Sequence, residues 1–229
     1  IRFCCFKNSK FFMRIILLGS PGSGKGTQAA RIAERLKVDH VSTGDIFRDE
    51  IARQTDLGLQ AEACVKSGRL VPDNLVLSMV LKRLDRPEGA GGFILDGFPR
   101  TIDQAQGLSS YLGKKVLKLN HVFYLDLPED LSISRIAGRR YCLKCQMVYN
   151  IATNPSKVDS VCDRCSGKLV SRSDDEQTTF KKRLMVYQEL TSPLIAYYKA
   201  AESFINVDAT RSMDEITDQI FGRLNGGRS

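Results

Sequence analysis

Gly19-Ser20-Pro21-Gly22-Ser23-Gly24-Lys25-Gly26-Thr27 is the stretch on which the fold is decided. It follows the apolar run Ile15-Ile16-Leu17-Leu18, a strand of the buried kind. It leads into 24–36, where Ala29, Ile32, Ala33 and Leu36 recur at helical spacing. Between a strand and a helix, and with its lysine in place, the run meets the GxxxxGK pattern of a phosphate loop. Glycines let successive backbone N–H groups turn toward phosphate oxygens with no side chain in the way. The helix adds the positive end of its dipole. Lys25 supplies a mobile ammonium between a transferred phosphoryl group and the rest of a triphosphate. Gly22, Ser23, Gly24, Lys25, Gly26 and Thr27 are therefore candidate phosphate-binding residues. Gly26 stands where the pattern has Ser or Thr, and Thr27 comes one place later. Any Mg²⁺ is accordingly expected to be held mainly by nucleotide oxygens and water.

Outward from the loop, strand-like and helical stretches alternate. Apolar runs at 14–18, 38–42, 93–95, 121–125 and 204–207, interleaved with helical or loop segments, predict an α/β fold around a parallel five-stranded sheet flanked by helices. Segments 43–71 and 138–175 contain no comparable strand run and read as insertions over one end of the sheet. Residues 1–12, IRFCCFKNSKFF, are aromatic, basic and cysteine-bearing, without the apolar stretch and small-residue cleavage site of a secretory leader. They read as an upstream extension outside the fold, with Met13 as the functional start of a domain over 13–229.

The chain of 229 residues suits one large domain carrying insertions. With 42% hydrophobic and 26% charged residues it is neither disordered nor collagen-like. No apolar run approaches the roughly 20 residues of a membrane span, so no membrane association is expected. The net charge of +8 fits nucleic acid, an anionic surface or small polyanions such as nucleotides, and the sign alone does not choose among them.

Seven cysteines are an odd count, against a complete set of disulfides. Four form Cys142-x-x-Cys145 and, sixteen residues on, Cys162-x-x-Cys165, leaving Cys4, Cys5 and Cys64 over. This is four-cysteine zinc spacing, and it suggests a reducing, cytoplasmic compartment. Four thiolates fill the zinc tetrahedron and leave no position for a reactive water, so the Zn²⁺ would be structural, clipping a segment too small for its own apolar core. Gln146 and Ser166 follow the second cysteine of each pair, where such knuckles often have Gly, a departure expected to alter the N–H···S geometry.

LLGSPGSGKGTQ, then VSTGDIFR at 41–48, GRLVPD at 68–73, FILDGFPRTIDQA at 93–105, RIAGRR at 135–140, RSDD at 172–175 and Arg183 together resemble the adenylate kinases, and the cysteine-bearing segment resembles the zinc-containing members. The resemblance covers nearly everything after Met13. It implies a P-loop core, an AMP-binding insertion at 42–71, a lid at 138–175 and the reaction ATP + AMP ⇌ 2 ADP. By the same resemblance Arg48 and Arg100 clamp the AMP phosphate, and Arg139, Arg172 and Arg183 surround the phosphoryl group in flight. Asp96 orders water around Mg²⁺. Thr43, Arg69, Leu70, Val71, Gly97, Phe98, Pro99 and Gln104 line or shape the AMP site. Arg135, Val148, Tyr149 and Arg211 lie near the ATP base and ribose. The residue chemistry agrees: guanidinium forks hold phosphate bidentately and stay charged, and an amide such as Gln104 both donates to and accepts from an adenine edge. Asp96 follows Phe93-Ile94-Leu95 at a strand's carboxyl end, where open α/β sheets bind ligands. His40, His121 and Asp126 carry no motif and read as structural.

Two alternatives stay open on sequence. One is a UMP/CMP or other monophosphate kinase, against which Gln104 and the long lid count. The other is a zinc-ribbon nucleic-acid binder, kept in view by Arg139, Arg140, Lys144, Lys157, Arg164 and Lys168; Tyr141 and Tyr149 give it a thin stacking surface. The favoured expectation is a monomer acting on ATP, AMP and ADP, without nucleic acid.

Overall fold

The computed structural model describes residues 12–87 and 91–226. All of the 1–12 extension but Phe12, with Cys4 and Cys5, lies outside the described residues.

The five expected strands form one parallel sheet in the order β2-β3-β1-β4-β8: β1 (Met13–Gly19), β2 (Asp39–Ser42), β3 (Gly92–Asp96), β4 (His121–Asp126) and β8 (Phe204–Asp208). The continuous apolar run of β1 follows from burial on both faces. Ile16 and Leu18 join a core with Val41, Phe93, Leu95 and Phe98. Ile15 and Leu17 face the other side, with Ala29 and Ile32 of α1 (Lys25–Leu36) and Ile216 and Ile220 of α9 (Met213–Gly226). Each of these β1 side chains is at most 4% exposed, so each contributes about 1.5–3 kcal/mol.

β1 is also where the strand order reverses, β3 lying on one side and β4 on the other. Its carboxyl end is thus the topological switch point, and the register puts Leu17 beside Asp96 and Gly19 beside Leu125 there.

The first insertion is helical: α2 (Thr43–Ala52), capped by Ser42, and α3 (Asp56–Ser67), capped by Thr55. α4 (Asp73–Leu84) leads back to β3, and α5 (Ile102–Lys114) follows it with Thr101 as cap. After β4 comes α6 (Glu129–Ala137). The second insertion differs from the strand-free expectation. It holds a small antiparallel sheet of β5 (Arg139–Cys142), β6 (Val148–Asn150) and β7 (Leu169–Val170) in the order β6-β5-β7. These strands are two to four residues long, and the buried cluster behind them is Cys142, Tyr149, Cys162 and Leu169. A core made half of cysteine leaves no aliphatic alternation to read. α7 (Gln177–Val186), a π-helical turn (Tyr187–Thr191) and α8 (Pro193–Lys199) return the chain to β8.

Candidate functional site

The glycine-rich loop closes β1 and feeds α1 with Gly24 as N-cap, at φ 90°, a left-handed conformation that suits glycine. Ser132, fully buried on α6, donates a hydrogen bond to the Pro21 carbonyl and fastens the loop from behind. Lys25 Nζ folds back into the loop, donating to Gly19 O at 2.7 Å, Ser20 O at 2.8 Å and Ser23 Oγ at 3.4 Å. Burial lowers its pKa to about 7, against the pull of Asp96, and Arg100, Arg183 and Arg139 push the same way as burial. The missing hydroxyl at position 26 has a local reason. A Cβ on Gly26 would stand 3.2 Å from Asp96 Oδ2, so the carboxylate occupies the space beside it.

Asp96, at the end of β3, is nearly enclosed. Burial works against its charge, but His40 and Lys25 win and hold it below the usual carboxylate range. His40 on β2 lies with Nε2 3.7 Å from Asp96 Oδ2 and is raised above its ordinary value, burial being outweighed by that carboxylate. Sequence reading had left His40 without a part in the site. Its register partner on β3 is Ile94, two residues before Asp96, and a lone histidine does not reveal that its ring reaches along the neighbouring strand to the carboxylate.

On the β2–β3 side a cleft holding roughly 610 Å³ of open space is lined by Thr43, Arg48, Arg69, Leu70, Val71, Gly97, Arg100, Gln104 and Arg183 among others. Thr43 Oγ1 donates to Gly97 O at 2.8 Å, and Arg100 Nε donates to the same oxygen at 2.8 Å. Gly97 has φ 74°, and a Cβ there would meet Arg100 Nη2 at 2.9 Å and Thr43 Oγ1 at 3.0 Å, so nothing larger fits. Burial and Arg183 bring Arg100 down to about 10, still charged at neutral pH. Two expected members are placed elsewhere. The Phe98 ring is fully buried in the sheet core, and Pro99, joined to it by a cis bond, is not among the lining residues. An apolar aromatic beside a sheet gains more from the core than from a polar cleft.

Three of the remaining arginines, Arg48, Arg139 and Arg183, arrive paired with acids that carry no role in the sequence analysis. Arg48 bonds Asp45 on the same helix. Arg139 grips Asp175 through two nitrogens, Nε lying 2.7 Å from Oδ2. Arg183 Nη1 reaches Asp174 Oδ2 at 2.7 Å and Asp175 Oδ1 at 3.3 Å. Arg172 has a buried Nε without a hydrogen-bond partner and lies 5.4 Å over the Tyr141 ring. Burial, then Arg48 and Arg139, lowers it to about 10. Asp45 to Arg48 is a readable i, i+3 helix pair; the other acids meet their arginines only through tertiary structure.

On the β4–β8 side Arg135 Nη2 lies 3.4 Å from the carbonyls of Thr210 and Arg211, and the Arg211 guanidinium is exposed beside Asp208 and Glu215. Val148 is half-buried on β6. Tyr149 departs from the expectation that it serves the nucleotide. Its side chain is 7% exposed, and its hydroxyl is taken by Cys162 Sγ at 3.5 Å and the Asp163 N–H at 2.9 Å.

The sulfurs of Cys142, Cys145, Cys162 and Cys165 all lie within 4.8 Å of one another, with closest pairs at 3.4 and 3.5 Å. Thiolates at the corners of a zinc tetrahedron stand roughly 3.8 Å apart, so the donor set is compatible with that ion. Lys144 and Cys145 N–H groups reach Cys142 Sγ at 3.4 and 3.5 Å. Gln146 and Ser166 take left-handed conformations, φ 59° and 56°, and donate to Cys142 O and Cys162 O at 2.9 Å each. The first knuckle keeps its N–H···S bonds without glycine, contrary to expectation; two side chains take the strain instead, at about 1–2 kcal/mol each. The Tyr149 hydroxyl draws Cys162 down to about 6, while burial pushes Cys145 up to about 12.

No helix among the described residues is long and apolar enough to cross a membrane. A family profile described as adenylate kinase matches residues 17–203. The chain is similar to the adenylate kinase of Finegoldia magna, 45% identical over 215 residues that cover 94% of this chain and 100% of the relative. That of Fervidobacterium nodosum is 45% identical over 214 residues, covering 93% and 98%. That of Streptomyces coelicolor is 46% identical over 206 residues, covering 90% and 95%.

Proposed function

The chain belongs to the adenylate kinase family and catalyses reversible phosphoryl transfer from ATP to AMP, giving two ADP; from that premise we propose how its own residues divide the work. The 22–27 loop and Lys25 hold the donor phosphates, Lys25 leaving its three loop acceptors to do so. Arg48 and Arg100 clamp the AMP phosphate, and Arg139, Arg172 and Arg183 surround the group in transit. Thr43, Leu70, Val71, Arg69 and Gln104 receive the AMP nucleoside, with Gly97 and its two neighbours shaping the turn. Arg135, Arg211 and Val148 on β6 frame the ATP base. Phosphoryl transfer asks mainly for positioning and charge stabilisation, which this set supplies without a covalent nucleophile.

The observation that carries the reading is the glycine-rich loop closed on Lys25, whose ammonium is brought by burial to about 7 and feels Asp96 together with Arg100, Arg183 and Arg139. Mg²⁺, which adenylate kinases use, supplies charge neutralisation between the phosphates when bound; the depressed carboxylate of Asp96 is the group suited to hold its water shell. Segment 42–71, as the AMP-binding insertion, and segment 138–175, as the lid, close over the nucleotides and keep water from the γ-phosphoryl. We take the enzyme to be a cytoplasmic monomer; its two C-x-x-C pairs suit a reducing compartment.

The test is ADP formation from ATP with each nucleoside monophosphate in turn. AMP is expected to exceed UMP and CMP by orders of magnitude; equal rates would sink the AMP assignment. Cys142, Cys145, Cys162 and Cys165 would hold Zn²⁺, which supplies the small lid with a structural tie. Stripping zinc is expected to lower the lid's melting temperature far more than it alters transfer at low temperature. A metal-free preparation of unchanged stability, followed by calorimetry, would refute the clip.

A further inference from the structure

We propose that Asp73 sets the enzyme's base selectivity by fixing which way round the Gln104 amide faces. The inference rests on Gln104 meeting the AMP base, as proposed above. Gln104 is 1% exposed, lines the AMP cleft, and leaves little room for a mobile side chain. Asp73 opens α4 and faces it across the start of α5. Its Oδ1 accepts from Gln104 Nε2 at 2.7 Å, and its Oδ2 accepts from Thr101 Oγ1 at 2.6 Å. At the opposite end of the amide, Gln104 Oε1 accepts from the Arg100 N–H at 2.8 Å.

The two ends of an amide are told apart by their partners. Here both partners agree. A carboxylate only accepts and a backbone N–H only donates, so both demand nitrogen toward Asp73 and oxygen toward Arg100. Turning the amide over would set its oxygen against a carboxylate oxygen and its N–H₂ against an N–H. An amide offers two N–H donors and two carbonyl lone pairs, so one of each is left for a ligand. Adenine presents an acceptor at N1 beside a donor amine at C6, and it takes both. Hypoxanthine reverses the pair, with N1–H donating and the C6 oxygen accepting, and only an inverted amide would match it. A hydroxyl or amide in place of the Asp73 carboxylate both donates and accepts, which removes that half of the lock and leaves only the Arg100 N–H opposing inversion.

The intact enzyme offers the first test, with AMP, purine riboside monophosphate (N1 acceptor, nothing at C6) and IMP as acceptors. The locked amide makes two bonds with AMP, one with purine riboside monophosphate and none with IMP, so kcat/KM should fall in that order. IMP ranking above purine riboside monophosphate would mean that the amide inverts freely, and the proposal would be lost. The second test is Asp73→Asn and, as an independent variant, Asp73→Ser. Each is expected to raise the IMP:AMP ratio of kcat/KM by about tenfold or more, the worth of one charge-assisted hydrogen bond. A parallel loss with both acceptors, leaving the ratio unmoved, would make Asp73 a structural support only. Gln104→Ala separates the two levels. It should erase the AMP:IMP preference; if the preference survives, Gln104 is not at the base and both readings fall. If Gln104→Ala erases it while the Asp73 variants leave it intact, the orientation lock alone is overturned.

Discussion

Lys25→Met abolishes phosphoryl transfer, lowering kcat by ~10³-fold or more while the protein stays folded; losses of about 10²–10³ follow removal of a single oxyanion-hole donor, and this residue supplies a full charge. The methionine keeps most of the aliphatic stem and takes away the ammonium alone. That ammonium bonds only to its own loop, at Gly19, Ser20 and Ser23, so its loss unpairs acceptors of that one loop. A thermal melt within a few degrees of the parent is expected. A second readout follows from the protonation state. With a pKa of about 7 in the empty site, Lys25 is charged at pH 6 and largely neutral at pH 8. Arriving phosphates favour the charged form and raise that value. Nucleotide binding at pH 8 therefore takes up a proton, uptake that fades toward pH 6, where the lysine already carries it. Binding calorimetry in buffers of different ionisation enthalpy measures it, and Lys25→Met should erase it. Uptake that persists in the variant, or transfer that survives, would remove Lys25 from the donor phosphates.

Arg100→Ala is expected to lower kcat/KM for AMP by ~10²–10³-fold, chiefly through KM, with ATP binding little changed. Its Nε is anchored to the Gly97 carbonyl, which leaves the other nitrogens of the fork for the AMP phosphate. Arg100→Lys should recover only part of the loss, since an ammonium lacks the planar fork. Stability should move the other way. Arg183 and Lys25 repel Arg100 in the empty site, so the alanine variant should melt no lower than the parent despite losing a buried side chain. Unchanged AMP kinetics would take Arg100 out of the cleft's function.

What the sequence made legible follows from what burial writes into it. The five sheet strands are apolar on both faces and stand out as runs; α1 is amphipathic and runs Lys25–Leu36 with Gly24 as its cap. The strands of the second insertion leave no alternation to read because their interior is sulfur, one tyrosine and one leucine. In the site, the cations were readable as isolated arginines at motif ends, and the anions were not. Asp174 and Asp175 lie within the RSDD stretch, yet only folding sets them against Arg183 and Arg139. Asp73 sits in GRLVPD, and its bond to Gln104 spans 31 residues. Phe98 and Tyr149 mark the opposite difficulty: adjacency to functional residues says nothing of where a ring points, and both are drawn into cores, Tyr149 with its hydroxyl on Cys162.

The aspartates gripping Arg48, Arg139 and Arg183 give these guanidinium groups a form of anion discrimination. A tethered carboxylate competes at an effective concentration of about millimolar or above, whatever the solvent contains. Free sulfate or inorganic phosphate must displace it with no other foothold and rarely succeeds. A nucleotide gains purchase through its base and sugar as well, and so makes the exchange. Ion pairs are swapped rather than created, which should leave substrate affinity less sensitive to ionic strength than a tally of guanidinium groups suggests.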